Sequence, residues 1–369
     1  MKKARWLPLA VAPFVALAWG ACSIYGNSLL LPVTSTEAGA DAGGGPDTAD
    51  PCQHALAPNR PEKDDPDGGD LELIEALTGL DIGADAGATA HSLDLDRTCT
   101  CPGPESCRTT APTHCDDSQG RDNSAGALFL KFAKLTDAFN ADNVNTGVKS
   151  GRSGLLLRLR HYNGLQNDTS VEFALFTSNG TVLPDGGAGP VPLHDGNDRW
   201  SASPASLLGG AGPPFIPNYV DINAYVNNGV LVANADFLVR LISNANPITL
   251  HGGVLIAALV PQGATFALKQ GRLTGRWSAR DLLTTLQLEK DPFAPSEHLC
   301  GNNPTYLDIK TQICKATDIS SNLFPDPQAP CDALSLGLGF EAEPALLTGT
   351  IADTPTLLPC GPTYTDQCP

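Results

Sequence analysis

Chemistry-bearing side chains are densest mid-chain in the run His194-Asp195-Gly196-Asn197-Asp198-Arg199-Trp200. Asp195, Asn197 and Asp198 offer side-chain oxygens within four residues, and calcium takes oxygen ligands, often from Asp and Asn on turns. The apolar face of Trp200, just beyond, is suited to stacking on a sugar ring. The competing reading is an Asx-rich turn feeding a strand whose tryptophan is core. Asp142, Asn143 and Asn145 form a weaker set of the same kind. Catalytic signatures are missing. Gly151-Arg152-Ser153-Gly154 is one residue short of a nucleophile elbow. There is no His-Glu-x-x-His helix, no phosphate-binding loop and no cofactor motif. The seven histidines are scattered. A Ser-His-Asp site is defined by geometry and not by spacing, so the sequence leans against an enzyme without deciding the point. Calcium is the one cofactor candidate.

The chain has eleven cysteines: Cys22, Cys52, Cys99, Cys101, Cys107, Cys115, Cys300, Cys314, Cys331, Cys360 and Cys368. Setting Cys22 aside leaves ten, five before residue 116 and five after residue 299. If all ten pair within the chain, an odd number of bridges joins the two groups. At least one disulfide therefore ties the N-terminal segment to the C-terminal one. The gaps of one, five and seven residues between Cys99, Cys101, Cys107 and Cys115 do not match zinc-knuckle spacing. Disulfides are the better reading in an exported chain.

Export is read from the first residues. Met1 to Arg5 is basic, Trp6 to Trp19 is apolar, and small residues follow, which is the plan of a secretory signal. Gly20-Ala21-Cys22 resembles the C-terminal part of a bacterial lipobox, with Trp19 where Leu is usual. This resemblance implies cleavage before Cys22 and lipidation on it. The expected organisation is a signal peptide over 1–21, a lipidated cysteine with a flexible acidic linker over 22–51, and one disulfide-stapled domain over 52–369. The membrane is then a partner through the lipid anchor, and the expected place is the outer membrane or cell surface. Net charge is −17. Residues 34–98 hold fifteen acidic and three basic side chains, which gives −12 of it. Such a balance excludes nucleic acid, which needs a basic face. It reads as a solvated tether.

The elements that would carry these groups are mostly strands. Leu71 to Leu77 alternates, Leu155 to Tyr162 runs into Asn163-Gly164, and Val171 to Phe176 is followed by Asn179-Gly180. Tyr219 to Val226 and Val230 to Val232 flank Asn227-Asn228-Gly229, a hairpin signal. Phe237 to Ile242, Ile248 to Val260, Thr265 to Lys269 and Asp332 to Glu343 add further strands. Helices are expected over 123–140, capped by Asp122, over 278–288 capped by Ser278, and over 303–316. Many short strands between turns predict an antiparallel β-sandwich of jelly-roll type, with two or three short helices and disulfide-stapled termini.

Several segments together are similar to uncharacterised lipoproteins of myxobacteria. These are the Gly/Ala/Asp linker opening onto Cys52, the cysteine loop Cys99 to Cys107, Asp122 to Ala127, Gly271 to Trp277 and Pro330 to Ser335. That resemblance implies localisation and carries no activity. The hairpin Tyr219 to Val232 also resembles a strand pair of laminin-G or concanavalin-like sandwiches. The functional expectation is a tethered surface module binding polysaccharide. The alternatives are an envelope lipoprotein that binds protein, or a secreted hydrolase.

Overall fold

The computed structural model describes residues 53–66, 69–82, 91–101, 103, 105–109, 115–132, 141–152, 154–209, 212–240, 247–324, 326–353 and 358–369. The expected signal and linker, Cys22, Cys52 and the second half of the helix expected over 123–140 lie outside these residues. Ala49–Pro369 clusters as one unit.

Eight strands make the main sheet: β1 (Leu71–Asp81), β2 (Gly154–Tyr162), β3 (Asp168–Ser178), β5 (Tyr219–Asn227), β6 (Val230–Arg240), β7 (Pro247–Gln262), β8 (Thr265–Ser278) and β9 (Ala333–Pro344). Every neighbouring pair is antiparallel. The last strand returns to the first, with Leu80 opposite Phe340 and Ala76 opposite Glu343. The sheet is therefore a closed barrel, not the expected sandwich. Alternation along a strand reports that one face is buried. It does not report whether that face packs on a second sheet or on the far wall of the same sheet. The deciding contact, β1 against β9, joins residues more than 250 apart.

Curling the sheet needs local relief. The ladder slips between Leu77 and Gly79, between Ala235 and Phe237, and between Leu268 and Gly271, and such bulges sharpen strand bending. At Gly271 the ring of Phe340 lies where a Cβ would stand, at 2.5 Å, so no larger residue fits. The β5–β6 hairpin turns on Asn228 and Gly229, at φ 52° and 75°. That positive pair matches the primed turn that Asn-Gly favours.

The barrel is filled. Leu155, Leu157 and Leu159 of β2 point inward with Phe173, Leu175, Phe237, Leu255, Leu273 and Leu336, and eight strands leave room for little more than their own side chains. The alternate residues of β2 and β3 are also covered. Leu156, Ala174 and Phe176 pack outward under Trp200, Ala202, Leu207 and Ala345. A two-stranded parallel sheet supplies that cover, pairing β4 (Arg199–Ala202) with β10 (Leu346–Thr350). Double coverage explains why Leu155-Leu156-Leu157 is a continuous apolar run. Uncovered outward positions carry ion pairs, Arg160 to Glu172 at 3.6 Å and Lys269 to Glu341 at 3.0 Å. Apolar inside and charged outside is the reverse of a membrane-spanning barrel. Among the described residues no helix is long and apolar enough to cross a membrane.

Among the described residues there are four α-helices: α1 (Ser124–Phe132), α2 (Ala141–Lys149), α3 (Ala279–Thr285) and α4 (Pro304–Lys315). The α1 residues Ala125, Leu128, Phe129 and Phe132 join the barrel core, with Phe129 tilted against Trp277 at 5.7 Å. Ser278 caps α3 by accepting from Asp281 N, and Asn303 caps α4 by accepting from Tyr306 N. The cap of α1 differs from expectation. Asn123, not Asp122, accepts from Gly126 N at 3.0 Å, because the Asp122 carboxylate is engaged by Leu95.

Candidate functional site

The expected calcium loop is a hydrogen-bonded turn. Asp198 accepts from Leu193 N at 3.0 Å and from His194 N at 2.5 Å. Asp195 accepts from Asn197 N at 3.0 Å. Their oxygens build the backbone, as the Asx-turn alternative requires. Trp200 is 0% exposed and sits over Gly154 at the barrel wall, where a Cβ would meet its ring at 3.2 Å. A side chain so covered cannot stack on a sugar, and the ligand-binding reading of Trp200 is corrected to a core role. Asn145 of the weaker set is also structural: its amide exchanges two 2.8 Å bonds with the backbone of Leu80, docking α2 on β1.

The cysteines form bridges Cys101–Cys115, Cys107–Cys331, Cys300–Cys360 and Cys314–Cys368. Cys99 is disulfide-bonded as well. Cys107–Cys331 spans 224 residues and is a bridge between the two groups, of the kind that parity demands. The last two bridges pin the C-terminal tail to the turn before α4 and to α4 itself, where Asp366 accepts from Tyr306 Oη and Lys310 Nζ, each at 2.6 Å.

The densest reactive constellation lies elsewhere. Asp94, Asp96 and Asp122 each present a carboxylate oxygen, and these oxygens lie within 4.8 Å of one another. All three residues are buried. Asp94 accepts from Arg97 N at 2.6 Å and pairs with His54. Asp122 accepts from Leu95 N at 2.8 Å. Asp96 accepts from Thr98 N and Oγ1 on one oxygen, and its other oxygen is buried without a hydrogen-bond partner. Asp116 and Asp318 add their charge. Burial pushes Asp94 up. Burial and then the charge of Asp96 push Asp122 well up. Asp116 is raised to about 7, chiefly by burial and also by Asp96 and Asp318. At an effective dielectric of 20, each ionised pair at this separation repels by about 3 kcal/mol. The available countercharge is Arg276, which donates to Leu95 O at 2.5 Å, while its Nε is buried without a partner.

The signal for this cluster was present as Leu93-Asp94-Leu95-Asp96, an alternation of acid with leucine that a solvated tether does not need. Asp122, 26 residues on, carries no local mark of its role. Two further groups stand out. Glu75 is 2% exposed and shares the inner face of the barrel with its register partner Leu157. Neither of its oxygens has a partner, and burial, then the Glu343 charge, raises it to about 9. His251 bridges Asp236 at 3.4 Å and Asp281 at 3.7 Å.

Between α1 and α4 a recess of about 120 Å³ is lined by Ala127, Leu128, Lys131, Gln312 and Lys315, too small for a drug-sized ligand. No family model, curated protein or solved structure matches the chain.

Proposed function

We infer that this chain is an exported lipoprotein, held to a membrane through Cys22, whose barrel presents a protein-interaction surface of the cell envelope. The observation that carries the reading is a run of exposed aliphatic side chains on one segment: Leu208, Ile216, Val220 and Ile222. Leu208 and Ile216 are joined by a 2.8 Å backbone bond. Val220 and Ile222 stand two apart on β5 and so share its face. Exposed apolar surface of this kind is what protein partners cover. Arg158 supports the segment from beneath, donating to Phe215 O at 3.0 Å and pairing with Glu172 at 3.1 Å.

The polysaccharide reading has less support. Trp200, Trp277, Tyr162 and Tyr306 are buried, so among the described residues these rings offer no stacking platform. The filled barrel interior leaves little room for a small ligand.

Cross-linking of the full chain in intact cells tests the reading. The wild type should give a discrete adduct, and I216D together with I222D should abolish it while the barrel stays folded. An adduct unchanged by both substitutions, or saturable binding of the chain to a purified glycan, would replace this reading. Cys22→Ser should release the protein from the membrane fraction. Retention of that variant would remove the lipid anchor from the account.

A further inference from the structure

The loop over residues 91–98 is drawn in against the start of α1. Asp94 N donates to Ala55 O at 3.0 Å, Asp122 N donates to Leu93 O at 3.2 Å, and Leu95 N donates to the Asp122 side chain. This folding brings the carboxylates of Asp94, Asp96 and Asp122 together in the interior. Hydrogen bonds account for much of their capacity, but not all of it. Asp96 is 6% exposed, and its Oδ2 is fully buried and takes no hydrogen bond. A buried carboxylate oxygen with no donor is costly in a folded protein unless something else meets it.

Among the described residues no donor meets it. Arg276 spends its Nη2 on Leu95 O, and its charge attracts Asp96, Asp122 and Asp318 without donating a hydrogen bond to the unpaired oxygen of Asp96. His54 is engaged by Asp94 alone of the three. Arg276 and His54 stand against five acids, Asp94, Asp96, Asp122, Asp116 and Asp318, and a cation would offset the charge these acids carry when ionised. Oxygen donors in a group of carboxylates match a hard divalent cation, and soft metals would want sulfur or imidazole.

We propose that Asp94, Asp96 and Asp122 form a buried calcium-type cation site that clamps the 91–98 loop to the head of α1. The cation occupies the unpaired side of Asp96 and replaces carboxylate repulsion with attraction. Its role is structural. It would join the segment carrying His54 and the cysteine loop to the barrel, alongside the Cys107–Cys331 bridge. This site is distinct from the surface turn of Asp195 and Asp198.

The test uses the full oxidised chain, stripped with EDTA and titrated calorimetrically with calcium chloride, with magnesium chloride in parallel. One ion should bind per chain, and the melting temperature should rise with it. Asp96→Asn keeps the acceptor for Thr98 and should weaken binding by more than about 100-fold, since even outer-shell changes at metal sites cost roughly 10–100-fold. Asp195→Asn should bind as the wild type does. Absence of heat and of any melting shift at millimolar calcium or magnesium overturns the proposal, as does unchanged binding by a folded D96N. Should D96N not fold, D195N decides: retained one-to-one binding with a raised melting temperature supports the buried site, and loss of binding overturns it.

Discussion

Replacing Glu75 with glutamine should make the protein more stable, increasingly so as pH rises. Glu75 lies inside the barrel with neither oxygen hydrogen-bonded, and its carboxyl is raised from 4.5 to about 9. In the unfolded chain the group titrates near 4.5. Between those values the folded state holds one proton that the unfolded state has lost. Stability therefore falls as pH rises through this window, by about 1.4 kcal/mol per pH unit. At pH 7.5 the gap is three units, or roughly 4 kcal/mol as an upper bound. Glutamine fills the same space and carries no such proton. E75Q should match the wild type near pH 4.5 and exceed it by about 2–4 kcal/mol at pH 7.5. Urea unfolding at pH 5, 6.5 and 8, followed by fluorescence of the buried Trp200 and Trp277 with disulfides intact, reads this directly. Other buried acids tilt both curves alike, so the difference between variants isolates Glu75. Two parallel stability curves against pH would refute the reasoning. They would mean that Glu75 meets a donor or water in the core. Glu75→Leu should gain as much or more, because an apolar side chain also removes the unsatisfied oxygens.

Cys107→Ser combined with Cys331→Ser opens a 224-residue span and should cost about 5 kcal/mol in the chain-entropy model. Denaturant midpoints of the double variant check this, and a change under about 1 kcal/mol would mean that the reduced unfolded chain keeps its ends together. His251 is raised to about 10 by the hydrogen bonds it donates to Asp236 and Asp281. It should stay protonated in NMR titrations from pH 6 to 8. The stability it adds is complete below pH 6.5 and fades toward 10, and an ordinary midpoint near 6.5 would show that the bridge is not formed. Trp200→Ala should destabilise by about 3–5 kcal/mol, as large-to-small core changes do. A near-neutral effect would return Trp200 to the surface.

Local features were legible because local chemistry makes them. Asn227-Asn228-Gly229 specified a hairpin, Ser278 specified a helix start, and period-two alternation marked β1, with a helix as its rival, and β9. The strand read over Leu155 to Tyr162 is present, although no local pattern explains why its leucines are continuous. That reason is the β4–β10 cover, which places Leu156 against Trp200. Cysteine parity demanded a long bridge without identifying it, since counting carries no geometry.

Closure and charge pairing were not legible, for one physical reason. Both depend on which distant segments meet, and a strand's alternation is the same whether its buried face looks at a second sheet or across a barrel. The pairing of Leu80 with Phe340 decides that. Asp122 read as a helix cap because the sequence shows its neighbours Asn123 and Ser124. Only the folded chain brings Leu95 N to its carboxylate. Asp94 and Asp96 were counted into an acidic tether by composition, whereas burial against α1 turns them into a repulsive pair inside the protein. Sequence thus determined the hairpin turn, the Ser278 cap, strand content and cysteine count. Tertiary structure alone decided that the sheet closes, that Trp200 is core, and that three carboxylates converge.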